Sequence, residues 1–367
     1  MQDSEAPIER VWARAYRIPT EQPESDGTIE WDSTTLVVAY VRAAGRNGMG
    51  FTYSDTAAAR LIDEKLAPPL AGRDAFATTA CWDEMVHVVR NLGAPGLCSM
   101  AISAVDSALW DLKAKLLDAP LVSLLGQARR RVPVYGSGGF TSYSVAQLEK
   151  QLGDWVAAGL RCVKMKIGRQ PKEDVPRVRA VRAAIGKEPE IFVDANGAYS
   201  RKLALRQAEA FADLGVTWYE EPVSSDDLRG LALLRDRAPP GMDLTAGEYG
   251  YDSVYFRRMC AAGAVDVLQA DATRCKGVTG FLRAASVSDC FLLPLSSHCA
   301  PALHLHPCCA APRVRHMEYF HDHVRIEQML FDGAPSPVNG EIEPDLTRPG
   351  FGLELKEADA QRFAVRA

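Results

Sequence analysis

From about residue 131 the chain repeats one pattern: a short apolar run, a polar turn, then apolar residues at helical spacing. The runs RVPVYGSGG, CVKMKIG, EIFVDANGAY, VTWYEEPV, MDLTAGEYG, VDVLQADATR, FLLPLSSH and RHMEYF read as eight strands. Between them, SVAQLEKQLGDWVAAG and RKLALRQAEAFADLG read as helices. The first opens on Ser144 and Gln147, a capping-box pair, and closes at Gly159. Strands alternating with helices predict a parallel β/α architecture, and eight strands close a barrel.

Before this repeat the pattern differs. IERVWARAYRI and TTLVVAYVRAAG read as strands joined to RNGMG as a hairpin turn, and MAISAVDSALWDLKAKLL reads as an amphipathic helix. The expected organisation is an α+β capping domain over residues 1–125 and a (β/α)7β-type TIM barrel over 126–323. A C-terminal segment, 324–367, contains the strand-like PGFGLEL and returns to the cap. The polar stretch PTEQPESDGTIEWDS is long for a connection between strands and is expected to be a mobile lid that helps set specificity.

One predicted strand, CVKMKIG, poses a problem of charge. Val163, Met165 and Ile167 share one face, so Lys164 and Lys166 share the other. Two like charges side by side on a buried strand are too costly to be packing filler, so anionic groups must face them. The strand ends supply those groups. Lys166, Asp194, Glu220, Glu248, Asp271, His298 and Glu318 recur once per repeat, 20 to 28 residues apart. The C-terminal ends of barrel strands meet at one face, where active sites are built. Three of these residues, Asp194, Glu220 and Glu248, are carboxylates that repel one another unless a hard cation neutralises them. Oxygen-only ligation suits Mg²⁺, with Mn²⁺ also compatible.

Composition narrows the partners. The 367 residues are 47% hydrophobic and 24% charged, with a formal net charge of −5, which gives no reason to expect nucleic acid or an anionic membrane. No apolar run approaches a membrane span, and MQDSEAPIER does not resemble a secretory signal. Nine cysteines without a C-x-x-C pair fit reduced thiols, hence a cytoplasmic setting. HLHPCC, which could suggest a soft-metal site, falls in a predicted helix region and reads as packing. GSGG at 136–139 lacks a full phosphate-loop signature, yet it ends the first barrel strand, so Ser137 is a candidate substrate contact.

The ordered series KMK, DAN, EEP, GE, QAD, SSH and EYF resembles the enolase superfamily, and closely its mandelate racemase subgroup. SAVDSALWDLKAKLL resembles that family's capping-domain helix, so the likeness covers nearly the whole chain. The resemblance implies that Asp194, Glu220 and Glu248 bind Mg²⁺, with Glu220 preferred over Glu221 in EEP. It implies that Lys166 and His298 are acid/base catalysts and that Asp271 partners His298. Glu318 would act on a substrate carboxylate as hydrogen-bond donor or electrophile, and Asn196 would contact a substrate hydroxyl. Lys276 stands where relatives often carry glycine.

The implied reaction is abstraction of the α-proton of a hydroxycarboxylate through a metal-stabilised enediolate, a pattern known for this superfamily. Lys164 would add positive charge beside the substrate, and with the dication and burial it would lower the Lys166 pKa toward that of a working base. The leading expectation is an acid-sugar dehydratase giving a 2-keto-3-deoxy acid; the alternative is a racemase or epimerase of a 2-hydroxy acid using the same two bases. A Schiff-base aldolase would also use a barrel lysine but needs no carboxylate triad. The expected partner is a small carboxylate, an acid sugar, and relatives of this kind are often homo-oligomers.

Overall fold

The computed structural model describes residues 5–365. Strands β1 (Ile8–Ser25), β2 (Glu30–Ala43) and β3 (Arg46–Tyr53) form an antiparallel sheet. Its centre is buried on both faces, and alternation along β2 shows how. Val37, Ala39 and Val41 enter the cap's own core, whereas Leu36, Val38 and Tyr40 enter the core shared with the barrel. The helix Leu97–Leu116 covers the first face.

Two sequence expectations need correcting here. RNGMG is not the hairpin turn: Ala44 and Gly45, at φ 48° and 72°, make the two-residue turn, and β3 starts at Arg46. The glycines serve the helix instead. A Cβ on Gly50 would lie 2.3 Å from the Ala104 carbonyl oxygen, so only glycine lets β3 and the helix approach this closely. Residues 19–33 are likewise not a loose loop, because β1 and β2 continue through most of them as a paired ribbon that turns at 26–29. The length and polarity of the stretch read as a loop; the pairing register does shift between Pro19 and Glu24 and then resumes. The ribbon is tied to the barrel: Thr141 donates its N–H to the Ser25 carbonyl at 2.8 Å and its hydroxyl to that of Asp26 at 2.7 Å.

Eight parallel strands make the barrel: β4 (Val132–Gly138), β5 (Cys162–Lys166), β6 (Glu190–Asp194), β7 (Val216–Glu220), β8 (Asp243–Ala246), β9 (Val267–Ala270), β10 (Leu295–Ser297) and β11 (Val314–Phe320). Each pairs with the next and β11 pairs with β4, closing the ring. Connecting helices run between them, and the one at Val145–Ala157 carries the expected reciprocal Ser144–Gln147 capping box. HLHPCC lies in the buried helix Pro301–Ala310. Tyr135, Phe192, Trp218 and Val267 fill part of the barrel interior, with Phe192 stacked on Trp218 at 5.0 Å.

The chain end returns to the cap, where Ala364–Val365 pairs antiparallel with β1. The seam between cap and barrel is polar and specific. Ser103 on the cap helix accepts the N–H groups of Lys276 and Gly277 at 2.8 and 3.0 Å, and Asp106 accepts the N–H and hydroxyl of Thr279. Lys276 adopts the left-handed conformation itself, so the turn expected of a glycine survives; its ammonium donates to the Tyr251 carbonyl at 2.6 Å. Among the described residues, no helix is long and apolar enough to cross a membrane.

Candidate active site

The phase read along the chain is realised at one rim. Lys166, Asp194 and Glu220 are the last residues of β5, β6 and β7. Asp271 and His298 follow β9 and β10 directly, Glu248 follows β8 by two, and Glu318 lies near the end of β11. Successive side chains alternate faces, so Lys164 and Lys166 both point inward while Val163, Met165 and Ile167 pack outward in the core.

Asp194, Glu220 and Glu248 converge: one carboxylate oxygen from each lies within 4.8 Å of the others, and all three are buried. Lys164 faces them from inside the barrel. Its ammonium donates to both oxygens of Glu220, at 2.7 and 2.8 Å, and lies 2.7 Å from Glu318. Burial disfavours that ammonium, yet Glu220 and Glu318 outweigh it and hold its pKa well above the usual value. The acids remain overcrowded. Burial, and then Asp194, push Glu220 up to about 7 despite Lys164. Burial and Glu248 likewise push Glu221 well up. Glu248 Oε2 makes no well-aligned hydrogen bond, its nearest charged neighbour being His298 Nε2 at 3.2 Å. A buried, oxygen-only donor set with more negative charge than its lysines relieve fits a hard divalent cation such as Mg²⁺.

Lys166 donates to Asp194 at 2.5 Å. The expectation that its pKa falls is corrected for this arrangement. Burial presses the ammonium downward most strongly, as does Lys164, but Asp194, with Glu248 and Glu220, outweighs both and the net shift is upward. His298 Nδ1 pairs with Asp271 Oδ2 at 2.8 Å, which leaves Nε2 facing the cavity. Burial opposes the charged ring, but Cys299, Glu248, Glu318 and Asp271 around it raise its pKa well above the ordinary value. Asp271 is in turn held down to about 2: burial opposes this most strongly, and the bond to His298 together with the charges of His298, His304 and Arg274 overcomes it. Glu318 also sits below the carboxylate range, burial being outweighed by Lys164, His298 and Lys166 together. It is therefore an acceptor in this arrangement, taking the Cys299 N–H at 2.7 Å, and the donor role expected of it requires a proton it does not hold here.

Above this rim lies a cavity of about 270 Å³, a size for a small molecule. Lys166, Glu248, His298 and Asn196 line its floor; Asp26, Trp31, Ser33, Thr34 and Ser54 line its roof from the ribbon and β3 side. Asn196, at φ 46°, leaves its Oδ1 buried without a partner. Lys164, Asp194, Glu220, Asp271 and Glu318 lie one layer deeper, essentially inaccessible. Ser137 does not line the cavity. It pairs in register with Lys164, fully buried, because it comes before the end of β4 rather than at the rim.

Several site neighbours escaped the sequence reading. Arg274 lies 3.2 Å from Glu248 and 3.7 Å from Asp271, joining the acid triad to the histidine pair. A charged residue three after Asp271 was the available signal. His304, discounted with HLHPCC, accepts the Ala272 N–H through Nε2 at 2.7 Å and stands 3.7 Å from Asp271. Trp218 donates its indole N–H to Glu220 at 2.8 Å. Cys299 places its sulfur 3.3 Å from His298 Nε2, and nothing in its sequence position announced it.

Comparison with known proteins agrees with this geometry. Residues 16–126 match the mandelate racemase / muconate lactonizing enzyme N-terminal domain, and residues 147–359 match the enolase C-terminal domain-like family. A mandelate racemase/muconate lactonizing enzyme-like protein from Rubrobacter xylanophilus superposes with a TM-score of 0.96 at 51% identity, covering 98% of this chain and 100% of that one. The 3,6-anhydro-α-L-galactonate cycloisomerase of Streptomyces coelicolor is 33% identical over 98% of this chain and 99% of its own. L-talarate/galactarate dehydratase from Salmonella typhimurium, in a structure liganded with Mg and L-lyxarohydroxamate, superposes with a TM-score of 0.91 at 28% identity, covering 99% and 94%.

Proposed function

The chain belongs to the mandelate racemase/muconate lactonizing enzyme family of the enolase superfamily, and from that premise we propose that it dehydrates an acid sugar to a 2-keto-3-deoxy acid. The observation that carries this reading is one cavity, where two proton carriers support α-proton abstraction and the hydroxyl-lined roof above them favours a polyol acid and so dehydration. Lys166 on β5 and His298 after β10 reach this cavity from different sides of the barrel mouth, with the acid triad between them. Bound by Asp194, Glu220 and Glu248, Mg²⁺ would supply positive charge against the substrate carboxylate, where α-proton loss builds up negative charge.

The chain's own residues do the rest. Lys166 Nζ or His298 Nε2 would take the α-proton, each from its own face of the substrate, once Asp194 and Glu248 turn to the cation, since those carboxylates otherwise hold a proton on both groups. Asp271 holds His298 in the tautomer that leaves Nε2 toward the cavity, and the protonated ring then gives its proton to the departing β-hydroxyl. Lys164 keeps positive charge beneath the reacting carboxylate with Glu318 paired to it in the deeper layer, and Asn196, on the cavity floor, orients the substrate's substituents. The roof favours a polyol. Ser33, Thr34 and Ser54 offer hydroxyls, and Trp31 offers an apolar ring on the same wall. The dehydratase relative, liganded with Mg and a hydroxamate, supports this choice of substrate class.

The test is a screen of mono- and diacid sugars with Mg²⁺ in D₂O, following both keto-acid formation and deuterium at the α-carbon. Keto-acid release is the expected result. Deuterium exchange with inversion and no keto acid would move the assignment to racemase or epimerase. A product isomeric with its substrate, reached without inversion, would move it to a cycloisomerase such as the Streptomyces coelicolor relative. No reaction and no exchange with any acid sugar would overturn the reading.

A further inference from the structure

We propose that His298, Cys299 and Glu318 form a second metal site, selective for zinc, whose occupation blocks the nitrogen that moves the substrate proton. The three residues come from the turn after β10 and from β11, and all are buried. His298 Nε2 lies 3.3 Å from the Cys299 sulfur and 3.9 Å from Glu318 Oε2, and 3.2 Å from Glu248 Oε2, so the site adjoins the acid triad. Zinc bonds of about 2.1 Å to nitrogen or oxygen and about 2.3 Å to sulfur put tetrahedral ligand atoms roughly 3.4–3.6 Å apart. The two distances from Nε2 lie within about half an ångström of that range, and all three ligand atoms lie within 4.8 Å of one another.

The donor set separates this site from its neighbour. Asp194, Glu220 and Glu248 offer oxygen only, which suits magnesium, whereas nitrogen, sulfur and oxygen together suit a borderline-soft ion. Each ligand is already oriented from behind. Asp271 holds His298 Nδ1, so Nε2 is the nitrogen open to a metal, and binding there displaces the proton that the surrounding acids favour. Lys164 and the Cys299 N–H hold the Glu318 carboxylate. Cys299 and Ala300 both sit in the left-handed backbone region, at φ 51° and 40°, a strained pair of residues that brings the thiol back toward the ring. His298 and Cys299 line the cavity, which supplies an entry path and an open fourth position. On binding, the sulfur–zinc and nitrogen–zinc bonds form as the thiol proton and the His298 Nε2 proton leave to solvent, and no oxidant or other reactant is needed.

Cobalt, a spectroscopic stand-in for zinc, distinguishes the two sites in the Mg²⁺-saturated protein, because only a thiolate ligand produces a sulfur-to-cobalt charge-transfer band. The expected result is one such band per chain, displaced by Zn²⁺, absent in Cys299→Ser and retained in Cys290→Ser, which removes an exposed thiol. Calorimetry should show zinc affinity falling at least tenfold in Cys299→Ser, a change that added Mg²⁺ does not reproduce. If the serine variant does not fold, alkylation of the unsubstituted protein decides: Zn²⁺ should protect Cys299 and leave Cys290 reactive. No band, a band that survives loss of Cys299, or equal alkylation of Cys299 with and without Zn²⁺ overturns the proposal.

Discussion

Lys166 and His298 differ in what holds them, and so in what their loss should do. Lys166 leans on Asp194, and His298 on Asp271. Lys166→Ala and His298→Asn should each slow turnover by about 10²–10⁴-fold, the usual worth of a positioned acid or base. If each serves one face, each variant should also lose deuterium exchange from one substrate configuration and keep the other. Equal loss from both configurations in both variants would contradict the assignment. Lys164 belongs to a different class. Its ammonium is wholly buried between Glu220 and Glu318, so Lys164→Met leaves both carboxylates uncompensated. We expect a destabilisation of about 3–5 kcal/mol in metal-free protein, read by urea unfolding, since breaking a buried pair from one side costs that much.

The ribbon of β1 and β2 is the element that roofs the site, and its closure is coupled to one carboxyl. Glu24 is buried, accepts the Trp31 indole N–H at 3.0 Å, and is pushed up to about 8 by burial and by Asp322, with Glu21 adding to this and Trp31 and Arg325 opposing it. A carboxyl whose folded pKa is raised is held protonated by the fold. Its contribution to stability is complete below the unfolded pKa, near 4.5, and is lost as pH rises to about 8. Trp31 fluorescence and hydrogen exchange in residues 19–33 should therefore report loosening as pH rises through 8, and Glu24→Gln should abolish that transition. The cap's other constraint is steric. Gly50→Ala forces a Cβ against the Ala104 carbonyl and should cost about 1–3 kcal/mol, seen as a lower melting temperature.

Across the whole molecule, cap, barrel and returning tail enclose one acid-rich centre, so metal binding should couple to global stability. Mg²⁺ at 100 times its dissociation constant should raise unfolding free energy by about 2.7 kcal/mol if only the folded chain binds it. EDTA should remove both that gain and the catalytic activity, and Asp194→Asn should show neither effect of Mg²⁺. A melting temperature indifferent to Mg²⁺ in the unsubstituted protein would argue against the acid triad as its site.

Much of this architecture is legible along the chain because it is periodic. Apolar runs of strand length alternating with amphipathic helices announce the barrel, and a charged residue recurring at each strand end announces the rim. Periodicity is local, so it survives in one dimension. What escaped depends on contact between distant segments. Gly48 and Gly50 read as a turn because nothing nearby in sequence shows the helix pressed against them. Residues 19–33 read as a loop because their length and polar side chains hide a backbone pairing that only the partner strand reveals.

Sequence alone determined the fold class, the ordered set of acids and bases, and the hard-cation character of the triad, since each follows from side-chain chemistry repeated in phase. Tertiary structure alone decided which charges dominate which. The closeness of Asp194 to Lys166 raises a pKa that charge counting would lower, and the deeper layer withdraws Ser137 from the cavity. The left-handed turn brings the Cys299 thiol to His298. Distances and burial set these outcomes, and both arise only when residues far apart in the chain share one small, poorly solvated volume.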